Sequence, residues 1–227
     1  MKNYSAFDIL GPIMIGPSSS HTAGAARLAK IAAKIGGENI KKVRFLLHGS
    51  FAKTYKGHGT DKALVAGILG MDPKDERLRT SMEIAKEKGL EYTFEEVDLG
   101  EDVHPNTVKF ILTTDKGNDV TVVGSSIGGG NIEIFEVEGQ SLRFTGEYPT
   151  LIINHTDTPG MIYKVTTILY REEISIASMN VYRKIKGLAA AMVVEVDHII
   201  DNKIIDSIKA IEGITSVDQI VPPKEGE

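Results

Sequence analysis

Gly16-Pro17-Ser18-Ser19-Ser20-His21-Thr22-Ala23-Gly24 stands directly before Ala25, Leu28, Ala29, Ala32 and Ile35, which are apolar positions at helical spacing. The pattern predicts an amphipathic helix from about Ser20 to Ile35, closed by Gly36-Gly37. The first N–H groups of a helix have no intrahelical partner and carry the positive end of the macrodipole, so a carboxylate or phosphate can settle there. Capping needs one hydroxyl. Ser18, Ser19, Ser20 and Thr22 supply four, with His21 among them. The stretch reads either as an over-supplied cap or as an anion site.

Working outward, Val43, Phe45 and Leu47 alternate with Arg44, Leu46 and His48 as a strand does. Gly57-His58-Gly59-Thr60-Asp61 then opens a second helix through Leu64, Val65, Ile68 and Leu69. Its flanking glycines permit close approach of the backbone to a ligand or a positive φ, and Thr60 or Asp61 can cap; the same residues also suit a solvated glycine loop. Glu76 to Lys88 reads as a charged surface helix. Tyr92 to Leu99 and Val108 to Thr114 read as strands, with His104-Pro105-Asn106 at the junction between them, where side chains from several loops can converge. Asp115 to Asn118 is a hairpin turn and Asp119 to Gly124 its return strand. Ser125-Ser126-Ile127-Gly128-Gly129-Gly130 lacks the Lys-Ser/Thr of a P-loop and leads into a strand, Asn131 to Val137, so it is no nucleotide fingerprint. It reads as a hydroxyl-bearing turn. Gly139 and Gly146 bound a last short strand.

From Thr150 the pattern becomes a compact βαββαβ. Leu151 to Asn154, helix Met161 to Tyr170, strands Ile174 to Tyr182 and Leu188 to Val196, helix Asp201 to Ile211 and strand Ile214 to Val221 follow in order. This is ferredoxin-like topology, and small sheets of this kind pair through their edges. The fold class is therefore α+β, with an α/β-type mixed sheet and helices in an amino-terminal domain, residues 1–147, a ferredoxin-like domain over residues 148–222 and a tail at 223–227.

The net charge of -5, with both signs interspersed, offers no basic stripe for nucleic acid. Met1 to Ile15 is broken by Asp8, Gly11 and Pro12 and lacks the apolar core of a signal peptide, and no run reaches membrane-spanning length. A cytoplasmic protein without membrane partners is expected. The chain has no cysteine, which excludes disulfides, thiolate nucleophiles and any iron–sulfur cluster held by its own thiolates.

The carboxyl-terminal unit resembles an ACT domain through Asp157-Thr158-Pro159-Gly160-Met161, Ile174 to Met179 and Ala189 to Val194. The resemblance implies self-association and an effector site at Asn154, Asp157 and Gly160, or a module that only dimerises. In the amino-terminal domain, Gly16 to Thr22, Gly57 to Asp61, His104 to Asn106 and Ser126 to Gly130 resemble four blocks of the β subunit of iron–sulfur-dependent L-serine dehydratases. The domain is also similar to the allosteric substrate-binding domain of some D-3-phosphoglycerate dehydrogenases. The dehydratase resemblance implies a lyase subunit that acts on L-serine, giving pyruvate and ammonia without pyridoxal phosphate, in amino acid metabolism and gluconeogenesis. It implies a [4Fe-4S] cluster held by a partner α subunit in a heterodimer, and no metal ligand on this chain. It further implies His58 as the base, His21 with Ser18, Ser19, Ser20 and Thr22 as substrate-holding residues, and His104 as support for the same pocket. Gly57, Gly59, Thr60, Asp61 and Asn106 complete the expected substrate site. Two competing readings are a non-catalytic amino-acid or anion-binding regulatory module and a histidine-ligated metallohydrolase, although His21, His58 and His104 match no local zinc motif.

Overall fold

The computed structural model describes residues 13–37 and 39–222. The predicted tail at 223–227 and most of the segment read against a signal peptide lie outside the described residues. The chain divides into two compact units that meet at Gly139 and Gln140. Each contains helices and a sheet, and the fold is α+β.

The first unit starts with a π-type turn, Ser19–Gly24, which runs straight into helix α1, Ala25–Gly36. Gly37 ends α1 with φ 85°, where a residue without Cβ is favoured. Strand β1, Ile40–His48, buries Val43, Phe45 and Leu47, as the alternation predicts. Two helices follow, α2, Gly49–Thr54, and α3, Thr60–Ile68. The charged segment predicted as one helix is a 3₁₀ turn, Glu76–Thr80, followed by α4, Ser81–Glu87. Asp75 caps the turn and forks onto Arg77, which holds the chain in the tighter winding.

Strands β2, Glu91–Val97, β3, Thr107–Thr114, β4, Asp119–Gly128, and β5, Asn131–Val137, complete this unit. Their order is β2-β1-β3-β4-β5. The β1–β2 pair is parallel and the others are antiparallel, so the sheet is mixed, as expected. Phe45 and Phe110 face each other across β1 and β3 in an edge-to-face contact at 5.8 Å. β4 runs past Gly124, so Ser125 and Ser126 are buried strand residues and not the turn their composition predicts. Among these elements Lys30 is buried on α1 and neutralised by Asp72 at 2.7 Å, the pairing a buried cation requires.

After Gly139 the chain forms β6, Gln140–Phe144. It continues through β7, Thr150–His155, α5, Met161–Arg171, β8, Ile176–Ile185, β9, Ala189–Val196, α6, Asn202–Lys209, and β10, Ile214–Ile220. The order β10-β7-β9-β8, antiparallel throughout, is the ferredoxin-like arrangement. Leu151, Ile153, Val194 and Val196 from the sheet pack on Met161, Val165, Leu169 and Ile205 from the helices. Among the described residues no helix is long and apolar enough to cross a membrane.

Helices α1 and α3 approach closely because Gly67 presents no side chain. A Cβ there would stand 2.3 Å from the Ala26 carbonyl oxygen and 2.6 Å from Ala29 Cβ. Alanine gains about 1 kcal/mol of helix propensity, but relieving overlap with backbone costs about 1–3 kcal/mol. The overlap dominates. Gly67→Ala is expected to lower stability by about 1–2 kcal/mol, read as a lower denaturation midpoint; an unchanged or raised midpoint would show that α1 shifts freely.

Candidate active site

The hydroxyl-rich stretch is not a simple cap. Ser18 is extended, and its side chain accepts from the His21 N–H at 3.1 Å. Its carbonyl accepts from both Thr22 N at 2.9 Å and Ala23 N at 3.3 Å. That shared acceptor is the widened, five-residue spacing of a π turn, a feature enriched at functional sites. Ser126 Oγ on β4 donates to the Ser20 carbonyl at 2.9 Å. Gly24 lies against the same serine, so close that a Cβ would be 2.0 Å from Ser126 Oγ. Ser19 and Ser20 are half-buried beside this contact.

His58 sits in the link between α2 and α3, where its N–H donates to the Thr54 carbonyl and its own carbonyl accepts from Thr22 Oγ1 at 3.3 Å. Gly59 follows with φ 69°, a left-handed conformation that a residue without Cβ permits. The imidazole of His58 meets that of His21 edge to face, with centroids 5.0 Å apart. His21 also meets the Phe51 ring at 5.1 Å, and its Nε2 is 3.1 Å from Ser50 Oγ. Nδ1 of His58 is buried and has no hydrogen-bond partner, and the same holds for Oγ1 of Thr60. An unpaired buried polar atom costs about 1–3 kcal/mol. A ligand that supplies the partner recovers that cost.

Burial lowers the pKa of His21, and the neighbouring His58 lowers it further, because two imidazoles this close resist becoming cations together. Burial raises the pKa of the Asp61 carboxyl, against the Lys62 N–H that donates to it. Gly57 is exposed at the rim.

His104 is exposed, and its Nδ1 accepts from Asn106 N at 3.1 Å. The backbone of its loop makes the connections. The Pro105 carbonyl accepts from Ser50 N at 2.7 Å and Phe51 N at 3.3 Å, while the Asn106 carbonyl accepts from Ser126 N at 3.0 Å. The His104 carbonyl accepts from Thr107 Oγ1, which shares a 2.6 Å bond with buried Ser125. The fold thus joins Ser18, Ser20, His21, Thr22, His58 and the His104–Asn106 loop. It adds Ser50, Phe51 and Ser126, which sequence reasoning had not assigned to the site. Ser50 and Phe51 carry no signal beyond their place after the strand, whereas Ser126 heads the fourth of the blocks that carry the family resemblance.

In the second unit Asn154 donates to Ser216 Oγ at 3.0 Å. The Gly187 N–H and Arg183 hold the Asp157 carboxyl below the usual carboxylate range. Gly160, φ 89°, precedes α5 without a side-chain cap. His155 is buried beside them, with Nδ1 donating to the Thr156 carbonyl and Nε2 unpaired. Among the described residues no three His, Asp or Glu side chains are placed to hold a metal ion.

Residues 5–136 match the family described as serine dehydratase beta chain, and residues 150–213 match the ACT domain. The chain is 44% identical to the L-serine dehydratase beta chain of Peptoniphilus asaccharolyticus, over 95% of this chain and 97% of that one. It is equally, 44%, identical to a probable L-serine dehydratase beta chain of Bacillus subtilis, over 97% and 99%. It is also 31% identical to a D-3-phosphoglycerate dehydrogenase of Bacillus subtilis, over 86% of this chain and 38% of that protein.

The lowered pKa of His21 has a consequence for stability. Between its folded value and the ordinary value near 6.5, the unfolded chain binds a proton that the folded chain refuses, so stability falls as pH drops through that window and is complete above it. The ring of His58 faces that of His21. His21→Gln keeps a polar group near Ser50 and removes the titration. The variant is expected to lose less melting temperature than the native chain between pH 7.5 and pH 5.5; equal losses would show that His21 does not resist protonation.

Proposed function

The chain belongs to the serine dehydratase beta chain family, and on that premise we propose that its first unit forms half of an L-serine dehydratase active site, the other half coming from a cysteine-bearing α chain. The observation that carries the proposal is the unpaired, buried Nδ1 of His58 beside His21, within a chain that matches dehydratase beta chains over nearly its whole length.

Eliminating water from serine requires removal of the Cα proton, departure of the β-hydroxyl and neutralisation of the carboxylate while charge develops beside it. Imidazole is the side chain whose basicity lies near neutral pH. His58 takes the Cα proton. Neutral His21, Ser18 and the hydroxyls of the π turn hold the carboxylate by hydrogen bonds rather than by full charge. The phenyl ring of Phe51 and the close packing around Gly24 and Ser126 limit water on that side of the pocket. The aminoacrylate released tautomerises and hydrolyses to pyruvate and ammonia, with no pyridoxal phosphate required.

The [4Fe-4S] cluster that the family resemblance implies finds no ligands on this chain, which has no cysteine, and no metal-holding group of His, Asp and Glu exists among the described residues. The cluster belongs to the α chain. Bound there, it would supply the Lewis acid for the departing hydroxyl, while this chain binds serine and moves the proton. The first domain supplies the dehydratase half-site. The ACT domain supplies self-association: Val181 and Ile185 are exposed on β8, an edge strand with unpaired backbone groups. An effector at Asn154, Asp157 and Gly160 has to displace or join the Arg183 pairing of Asp157.

Anaerobic reconstitution with the α chain tests the assignment of the base. Loss of general-base catalysis costs about 10²–10⁴-fold, so His58→Ala is expected to lower kcat for L-serine by at least about 10²-fold with the complex intact. Undiminished pyruvate formation would remove His58 from the mechanism.

A further inference from the structure

The hydrogen bond between Ser50 and His21 has a defined structural origin. Ser50 is the second residue of α2, directly after the end of β1, and its place is fixed through its backbone. Its N–H and that of Phe51 both donate to the Pro105 carbonyl. Gly49 makes this possible: at φ 58° its α-carbon lies against Pro105, and a Cβ would be 2.7 Å from both Pro105 Cα and Pro105 O. The Ser50 carbonyl accepts from Thr54 Oγ1 at 2.8 Å, which braces the same turn. The hydroxyl is thereby held 3.1 Å from Nε2 of His21, whose ring is clamped between Phe51 and His58.

A neutral imidazole donates from one nitrogen and accepts at the other, and the bond made by one nitrogen decides what the other can offer. Ser50 occupies Nε2, so Nδ1 is the nitrogen left for a ligand. An anionic ligand needs a donor there. We propose that Ser50 is a positioning residue, whose hydroxyl donates to Nε2 of His21 and holds the ring as the Nδ1–H tautomer that donates to the carboxylate of the substrate. The proposal rests on the reading of the site as a serine pocket. It also gives the His104-Pro105-Asn106 block a role carried by the Pro105 carbonyl, through Ser50, rather than by the His104 ring.

The test joins two measurements on the full chain. Nitrogen NMR of the isolated chain at pH 7.5, with ¹⁵N-labelled histidine, is expected to show His21 as Nδ1–H in the native protein and in Ser50→Thr, and as a mixture or as Nε2–H in Ser50→Ala. An Nε2–H signal in the native chain, or no change in Ser50→Ala, would overturn the proposal. In the complex with the α chain, loss of one hydrogen bond corresponds to a rise of about five- to tenfold in KM for L-serine in Ser50→Ala. The change in kcat is expected to be smaller, and Ser50→Thr to restore KM. A fall in kcat at unchanged KM would also overturn it. If the tautomer responds as expected but the native complex does not turn over L-serine, the serine assignment fails and the positioning role stands.

Discussion

Gly24 resting directly on Ser126 is the constraint from which the rest of the site follows. No side chain fits between them, and this close approach lets Ser126 Oγ reach the Ser20 carbonyl and tie the π turn to β4. From there the connections close on themselves. Ser126 N donates to the Asn106 carbonyl, the adjacent Pro105 carbonyl receives Ser50 N, Ser50 Oγ meets His21, and His21 follows Ser20 in the chain. A ring of hydrogen bonds with mostly backbone partners therefore passes through His21 and fixes its place beside His58. Backbone partners keep their geometry whatever the side chains do, so the ring is a rigid frame for two groups that must meet a ligand in register.

Within that frame the electrostatics favour neutrality. His21 and His58 are close enough that charging both is costly, and burial pushes His21 further towards its uncharged form. A neutral imidazole can accept a proton at one nitrogen and donate a hydrogen bond from the other. On the proposed reading, the unpaired nitrogen of His58 marks an arrangement that the partner chain completes. In a finished core such an atom would be paired, because leaving it alone costs as much as a hydrogen bond gains.

Much of this was legible from residue order. The alternation of Val43, Phe45 and Leu47, the Asp115–Asn118 turn and the βαββαβ succession after Thr150 each express a period or a turn chemistry that local sequence carries. Gly59 was legible for the same reason, since its left-handed φ is a local property. The π turn was not, because Ser18 accepting from both Thr22 and Ala23 depends on β4 holding Ser20 from the far side. Ser125 and Ser126 read as loop residues because small hydroxyl residues next to glycines usually are; here β4 buries them, and their hydroxyls are satisfied by Thr107 and Ser20. Ser50 carried no periodic signal. Its importance comes from Pro105, 55 positions away in the chain, and only the fold brings the two together.

The central claim is that catalysis is divided: this chain carries the base and the carboxylate site, and the partner carries the iron. The most direct measurement is an anaerobic titration of the purified chain into a purified, cluster-loaded α chain, following pyruvate from L-serine together with the iron content of each chain. The account predicts no turnover by either chain alone, saturable activity as they combine, and iron confined to the α chain throughout. Serine turnover by the α chain alone, or iron bound by the chain described here, would contradict it.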